Sequence, residues 1–289
     1  MNDVNGHQIQ LEETDNTRII TREMAQRVRD VVDAGLSNGL GIQEPGKMCV
    51  EAAVCYALGQ PHGDDPRCVA PSLRQLKIHL NDRTWTSPAS RASGLRRLAV
   101  AQLGSAGALD ESAFIRHVVD LTIKRALPVG LRAAAKVNPK HAAILEAASR
   151  RCEREGTREA LSEARDAAAY AASAAAAAYA DAAAAAADAV YAVYAAYAGA
   201  AAAEDADAAA VYAAYAAAAA DAATYAAGAA TYSDAATAAA TSAAYTASAA
   251  GGPPDSMLAQ YAEWIVEILI DMKAPGCEYL DLVPLEGRS

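Results

Sequence analysis

Residues 188–199 read "DAVYAVYAAYAG", and residues 210–217 read "AVYAAYAA", so one alanine–tyrosine phrase occurs twice. Alanine fills most of the chain around these phrases. It supplies 53 of the 85 residues from 166 to 250, and the others are chiefly Tyr, Asp, Thr, Ser and Val. Because alanine has the highest helix propensity and only single glycines interrupt the run, the sequence predicts long helices over this Ala/Tyr-rich segment (residues 166–250).

The tyrosines of the Ala/Tyr-rich segment supply its large side chains. Alanine buries little area, so alanine-rich helices must approach closely, and a flat tyrosine ring fills the gaps that remain. The pair Tyr191 and Tyr194 recurs as Tyr212 and Tyr215, an offset of 21 residues or three heptads, which favours antiparallel packing of long helices. We expect these four tyrosines to be buried in a helix–helix interface; the alternative is a platform that stacks a ligand.

The rest of the chain also shows helical periodicity. Apolar residues at helical spacing begin after Thr21, cap signals occur at Ser87 before Pro88 and at Asp110, and glycine follows several of the periodic runs. Pro128 predicts a break in the helix that Asp110 begins. The other predicted helices cover about residues 21–36, 47–58, 71–81, 88–103, 129–137 and 138–156, and a last amphipathic helix follows residue 255.

Together these patterns predict an all-α protein. Its compact N-terminal multi-helix domain (19–156) follows a disordered or loosely docked tail (1–18). Long Ala/Tyr-rich helices packed as an antiparallel bundle come next (157–250). A C-terminal amphipathic helix and tail (251–289) are expected to dock on that bundle.

The charge and cysteine content limit the partners and the compartment. The chain carries a net charge of −10, and residues 166–272 contain twelve acidic residues and no Lys, Arg or His. Phosphate contacts need basic side chains, so we expect no nucleic-acid partner. We also expect no membrane span, because no run of eighteen strongly apolar residues occurs. Five scattered cysteines without CxxC spacing indicate free thiols in the cytoplasm.

Residues 44–66, "EPGKMCVEAAVCYALGQPHGDDP", are the stretch most suggestive of chemistry. Cys49 falls in the first turn of a predicted helix after Lys47, where the helix N-terminus and a cation lower the pKa of a thiol. The pattern resembles the nucleophile helix of transglutaminase-like and papain-like folds. That resemblance implies a triad with a downstream histidine (His62 or His79) and Asp82. Residues 71–82 nevertheless predict a helix, whereas those families place the partners on strands; otherwise Cys49 is a small core residue.

The chain carries no other recognisable site motif. Cys55, His62, Cys68 and His79 do not have the spacing of common zinc sites, and no phosphate-binding loop or hydrolase motif is present. We therefore expect no metal and no cofactor.

These features favour a non-catalytic, all-helical interaction or structural protein, whose Ala/Tyr-rich helices serve close packing or self-association with a protein partner. The alternative is a cysteine-dependent acyl-transfer or amidase-like enzyme with Cys49 as nucleophile and His79 and Asp82 as its partners. An ice-binding face is disfavoured, because the threonines from 224 to 246 are irregularly spaced.

Overall fold

The computed structural model describes residues 19–137, 139–157, 159–164, 166–167 and 254–285. This part of the chain is helical and has no strands, so the all-α prediction is confirmed for it; an isolated bridge pairs Gly41 with Met48. The α-helices are α1 (Arg22–Asp33), α2 (Val50–Ala57), α3 (Pro71–Asn81), α4 (Pro88–Ala101), α5 (Glu111–Leu121), α6 (Leu127–Val137), α7 (Ala142–Glu155) and α8 (Pro254–Asp271).

Polar side chains begin the helices where the sequence predicted them. The hydroxyl of Thr21 accepts from Met24 N at 3.3 Å, and that of Ser87 accepts from Ser90 N at 3.0 Å. The carboxylate of Asp110 accepts from Ala113 N at 2.9 Å. Each bond satisfies an amide that the first helical turn leaves without an intrahelical partner.

Pro128 does not break the chain into two separate helices, which corrects the sequence prediction. A π-helical turn (Thr122–Ala126) joins α5 directly to α6. Within it, Leu127 N donates to Thr122 O, five residues back. The wider turn shifts the register just before Pro128, the second residue of α6, so the missing amide of proline falls in the first turn of the next helix.

α4 lies at the centre of the described core. It contacts α1, α2, α8 and the 3₁₀ helix Pro275–Leu282. Leu95 and Leu98 on α4 are fully buried, as are Val28 on α1 and Leu76 on α3. One continuous apolar cluster joins these elements to α5 and α8.

The C-terminal helix α8 packs with its predicted stripe inward. Tyr261, Ile265 and Leu269 are fully buried against α4 and α5. Polar contacts hold its first turn and its middle, since Asp255 accepts from Thr86 N at 3.0 Å and Arg97 Nε donates to Glu263 at 2.9 Å. None of the described helices has the length and apolar character needed to span a membrane.

Apart from residues 157, 159–164 and 166–167, the predicted antiparallel bundle (157–250) lies outside the described residues. So do its four tyrosines, Tyr191, Tyr194, Tyr212 and Tyr215, and the tail 1–18. The bundle, the burial of those rings and the docking of α8 on the bundle therefore stay predictions. Within the described part, Thr157 begins the next helix, since its hydroxyl accepts from Ala160 N at 3.3 Å.

Candidate functional site

Cys49 is the N-cap of α2 and is 4% exposed. Its sulfur accepts from Ala52 N at 3.3 Å, so the thiol takes the place of a capping hydroxyl. The helix begins at Val50, three residues later than predicted, because residues 41–48 form a bridged turn. Burial, with a smaller contribution from Glu51, raises the pKa of Cys49 to about 11. These surroundings favour the thiol form, whereas a cysteine nucleophile needs the thiolate.

The two residues proposed to complete a triad lie at the end of α3. Asn81 Oδ1 accepts from Val50 N at 3.1 Å, so this end of α3 lies beside the start of α2. The Asp82 carboxylate itself accepts from Gly39 N and from Asn81 Nδ2, both at 2.9 Å. His79 is partly exposed on α3. A triad of Cys49, His79 and Asp82 stays a prediction.

All five cysteines are free thiols. Cys55 and Cys68, considered in the sequence as metal ligands with His62 and His79, are almost completely buried, and burial raises the pKa of both. His62 Nε2 lies 3.2 Å from Gly41 O. Among the residues that the structure describes, no three His, Cys, Asp or Glu side chains are grouped so as to hold a metal ion.

A buried polar centre, consisting of Glu51, Lys77 and Gln102, lies where α2, α3 and the end of α4 meet. All three side chains are fully buried. Lys77 Nζ lies 3.3 Å from Glu51 Oε1, and Gln102 Nε2 donates to Glu51 Oε2 at 3.2 Å. Lys77 Nζ, Glu51 Oε1 and Gln102 Oε1 have no aligned hydrogen bond. The centre is therefore an ion pair in the core with few supporting hydrogen bonds.

Burial changes the protonation of both charged members of this centre. Loss of water raises the pKa of Glu51 to about 7, although the charge of Lys77 opposes the shift. Loss of water also lowers the pKa of Lys77, and the charge of Glu51 opposes that shift. In an apolar surrounding both groups are driven toward their uncharged forms.

The sequence analysis missed the buried polar centre, although the helical spacing contained the signal. Lys77 follows Leu73 and Leu76 and precedes Leu80, so it lies on the apolar face of α3 at i, i+3, i+4 and i+7. Glu51 is the only charged residue of α2, whose other residues are mostly apolar and buried. A charge on a fully apolar face indicates a buried partner, since an unpaired charge there is costly.

Two shallow grooves mark the surface. One, of about 600 Å³, lies between α4 and α8, and its walls include Trp85, Ser90, Gly94, Gln260 and Leu285. The other, of about 540 Å³, lies between α7 and the helical residues that follow Thr157, and its walls include Ile144, Arg150, Arg154, Asp166 and Ala167.

No protein-family model, curated protein sequence or solved structure matches this chain.

Proposed function

We propose that this protein is a non-catalytic, all-helical interaction protein that self-associates through its Ala/Tyr-rich segment. The supporting observation is that the parts of the chain before and after that segment share one apolar core. One apolar cluster contains Val28, Leu95 and Phe114, which precede the segment, and Tyr261 and Ile265, which follow it. In the sequence, the segment is thus an insertion between two parts of the chain that fold into a single core.

The two ends are tied to the core by specific contacts. On the N-terminal side, Ala160 and Ala164 are fully buried, and the Cys152 thiol on α7 donates to Ala160 O at 3.6 Å. On the C-terminal side, α8 is held at its first turn by the bond between Asp255 and Thr86 N. A core that anchors both ends of a long insertion can present it to another molecule.

The composition of the segment suits association with a second copy. Alanine permits close approach of helix backbones, and regularly spaced tyrosines provide large rings that bury well between them. Residues 166–250 also contain eight carboxylates and no basic side chain. Two copies would therefore repel each other weakly at low salt, and association through the tyrosines should strengthen as salt screens this repulsion.

Sedimentation equilibrium of the full chain over a wide concentration range tests the proposal. The quadruple variant Tyr191→Ser, Tyr194→Ser, Tyr212→Ser and Tyr215→Ser removes the expected contact rings, and Tyr56→Ser, an exposed tyrosine on α2, is the control. We expect wild type and control to form oligomers and the quadruple variant to associate at least about tenfold more weakly, about 1.4 kcal/mol.

A wild-type chain that stays monomeric at every concentration and salt level would contradict the proposal. So would a quadruple variant that associates as strongly as wild type. Circular dichroism of each variant separates loss of association from loss of helix, because the core helices contribute the same signal in all of them.

A further inference from the structure

The buried polar centre joins three helices at one point of the core. Glu51 lies in the first turn of α2 and Lys77 in the middle of α3, and Gln102 is the C-cap residue of α4. Each side chain is 0% exposed. The protonation of this centre is therefore coupled directly to whether the three helices are packed together.

The geometry of the pair is poor for two full charges. At 3.3 Å, Lys77 Nζ and Glu51 Oε1 are within ion-pair distance, yet neither atom has an aligned hydrogen bond. The only hydrogen bond to the carboxylate from this centre is that of Gln102 Nε2. A buried ion pair offsets its loss of hydration only when further hydrogen bonds satisfy both charges.

We propose that the Glu51–Lys77 pair is a proton-linked device that makes the packing of α2, α3 and α4 depend on pH, with the folded state gaining stability on mild acidification. Glu51 is the group that takes up the proton when the chain folds. Lys77 is the group that gives up a proton on folding as the pH rises.

Other charged and titratable groups also face Glu51. α2 contributes the Cys49 and Cys55 thiols, the connection from α2 to α3 contributes Asp64 and Cys68, and α3 contributes Arg74 beside Lys77. Arg74 is itself paired with Asp65. From α1, Arg27 Nε donates to Ala57 O at the opposite end of α2. The thiols are neutral near pH 7, since burial raises their pKa.

The direction of the effect follows from the shifts. Burial raises the pKa of Glu51 from its ordinary 4.5 to about 7, so between these values the folded chain keeps a proton that the unfolded chain has lost. Stability from this group is therefore complete below about pH 4.5 and is lost as the pH rises toward 7. The pKa of Lys77 is lowered below its ordinary 10.5, so its contribution to stability increases with pH between the lowered value and 10.5.

Urea unfolding of the full chain at pH values from 5 to 8 tests this device in wild type, Glu51→Gln and Glu44→Gln. Glu44 is a matched control, because it pairs with Lys47 at 3.0 Å on the surface. One proton changes the unfolding constant by up to about tenfold per pH unit. We expect the unfolding constant of wild type and control, relative to that of Glu51→Gln, to rise by roughly 40-fold between pH 5 and 7.

Equal pH dependence of wild type and Glu51→Gln would overturn the proposal. If Glu51→Gln does not fold, the carboxyl carbon resonance of Glu51 in ¹³C-labelled wild type decides. A midpoint near 7 supports the device, and a midpoint near the ordinary value overturns it.

Discussion

Gly94 lies on α4 where the indole ring of Trp85 crosses the helix. A Cβ atom added at Gly94 would lie 2.5 Å from two carbons of that ring and 3.2 Å from Ala259 Cβ. The ring has little freedom to move, because it is buried and its Nε1 donates to Leu80 O at 3.0 Å. Glycine at this position therefore allows α4, α8 and Trp85 to pack closely.

Replacing Gly94 with alanine should destabilise the fold by about 1–3 kcal/mol through overpacking. A loss of stability on Gly94→Ala would be informative, because alanine in a helix interior is otherwise favoured over glycine by about 1 kcal/mol. Ser93→Ala, at the exposed neighbouring position, is the control and should change stability little. Urea denaturation of the three proteins measures the difference; a Gly94→Ala protein as stable as wild type would show that the ring moves aside freely.

Cys49 should react slowly with thiol reagents in the folded protein. With its pKa raised to about 11, roughly a thousandth of the thiol is ionised at pH 8, and the side chain is almost inaccessible. The partly exposed Cys277 should be labelled first. Peptide mapping after iodoacetamide treatment at pH 6–9 measures this order. Fast labelling of Cys49 below pH 8 would instead support the cysteine-enzyme alternative.

The roles of some single residues can be predicted from the sequence, and those of others cannot. The caps Ser87 and Asp110 were predictable, because a capping oxygen acts within one helical turn. The burial of Lys77 and Glu51 was not predicted, since it depends on two helices that meet across the fold. Even so, the apolar face on which Lys77 lies could have indicated it.

Tyr261 is a large side chain at the buried face of α8. Its ring is fully buried, packs edge-on against Trp264 at 6.4 Å between centroids, and its hydroxyl lies 2.9 Å from Thr122 Oγ1. Because Thr122 Oγ1 already donates to Val118 O at 2.7 Å, it accepts from Tyr261. This bond joins α8 to the π-helical turn between α5 and α6.

Tyr261→Phe should cost about 1 kcal/mol, because it removes one buried hydrogen bond and keeps the ring. Tyr261→Ala should cost about 3–5 kcal/mol, because it also leaves a cavity. Ile270→Ala, on the exposed face of the same helix, should fall within about 0.5 kcal/mol of wild type. Thermal melts of the three variants measure these values, and equal effects of Phe and Ala would contradict the packing role of the ring.

Elements were more predictable than the connections between them. The apolar stripe of α8, including Leu258 and Ile265, is buried as its spacing predicts. The π-helical turn before Pro128 was not predicted, because a proline within a helical pattern usually indicates the end of a helix. Thr122, the first residue of this π-helical turn, contacts Tyr261 on α8, which lies far away in the sequence.

At the scale of the whole molecule, the parts of the chain before and after the Ala/Tyr-rich segment share one apolar core. Before the segment in the chain, residues 159–164 contact α7. After it, α8 packs on α4 and α5. Helical periodicity, cap residues and alanine content together predicted the helical class. It could not predict that the C-terminal helix would share a core with the N-terminal helices, because that depends on contacts between residues far apart in the chain.

Hydrogen–deuterium exchange of the full chain at low and high protein concentration tests the central claim most directly. Amides of residues 166–250 should become more protected as concentration rises, since the proposed association would bury the helices predicted there, while amides of α4 should exchange equally slowly at both concentrations. Exchange in residues 166–250 that is fast and identical at both concentrations would contradict self-association through this segment.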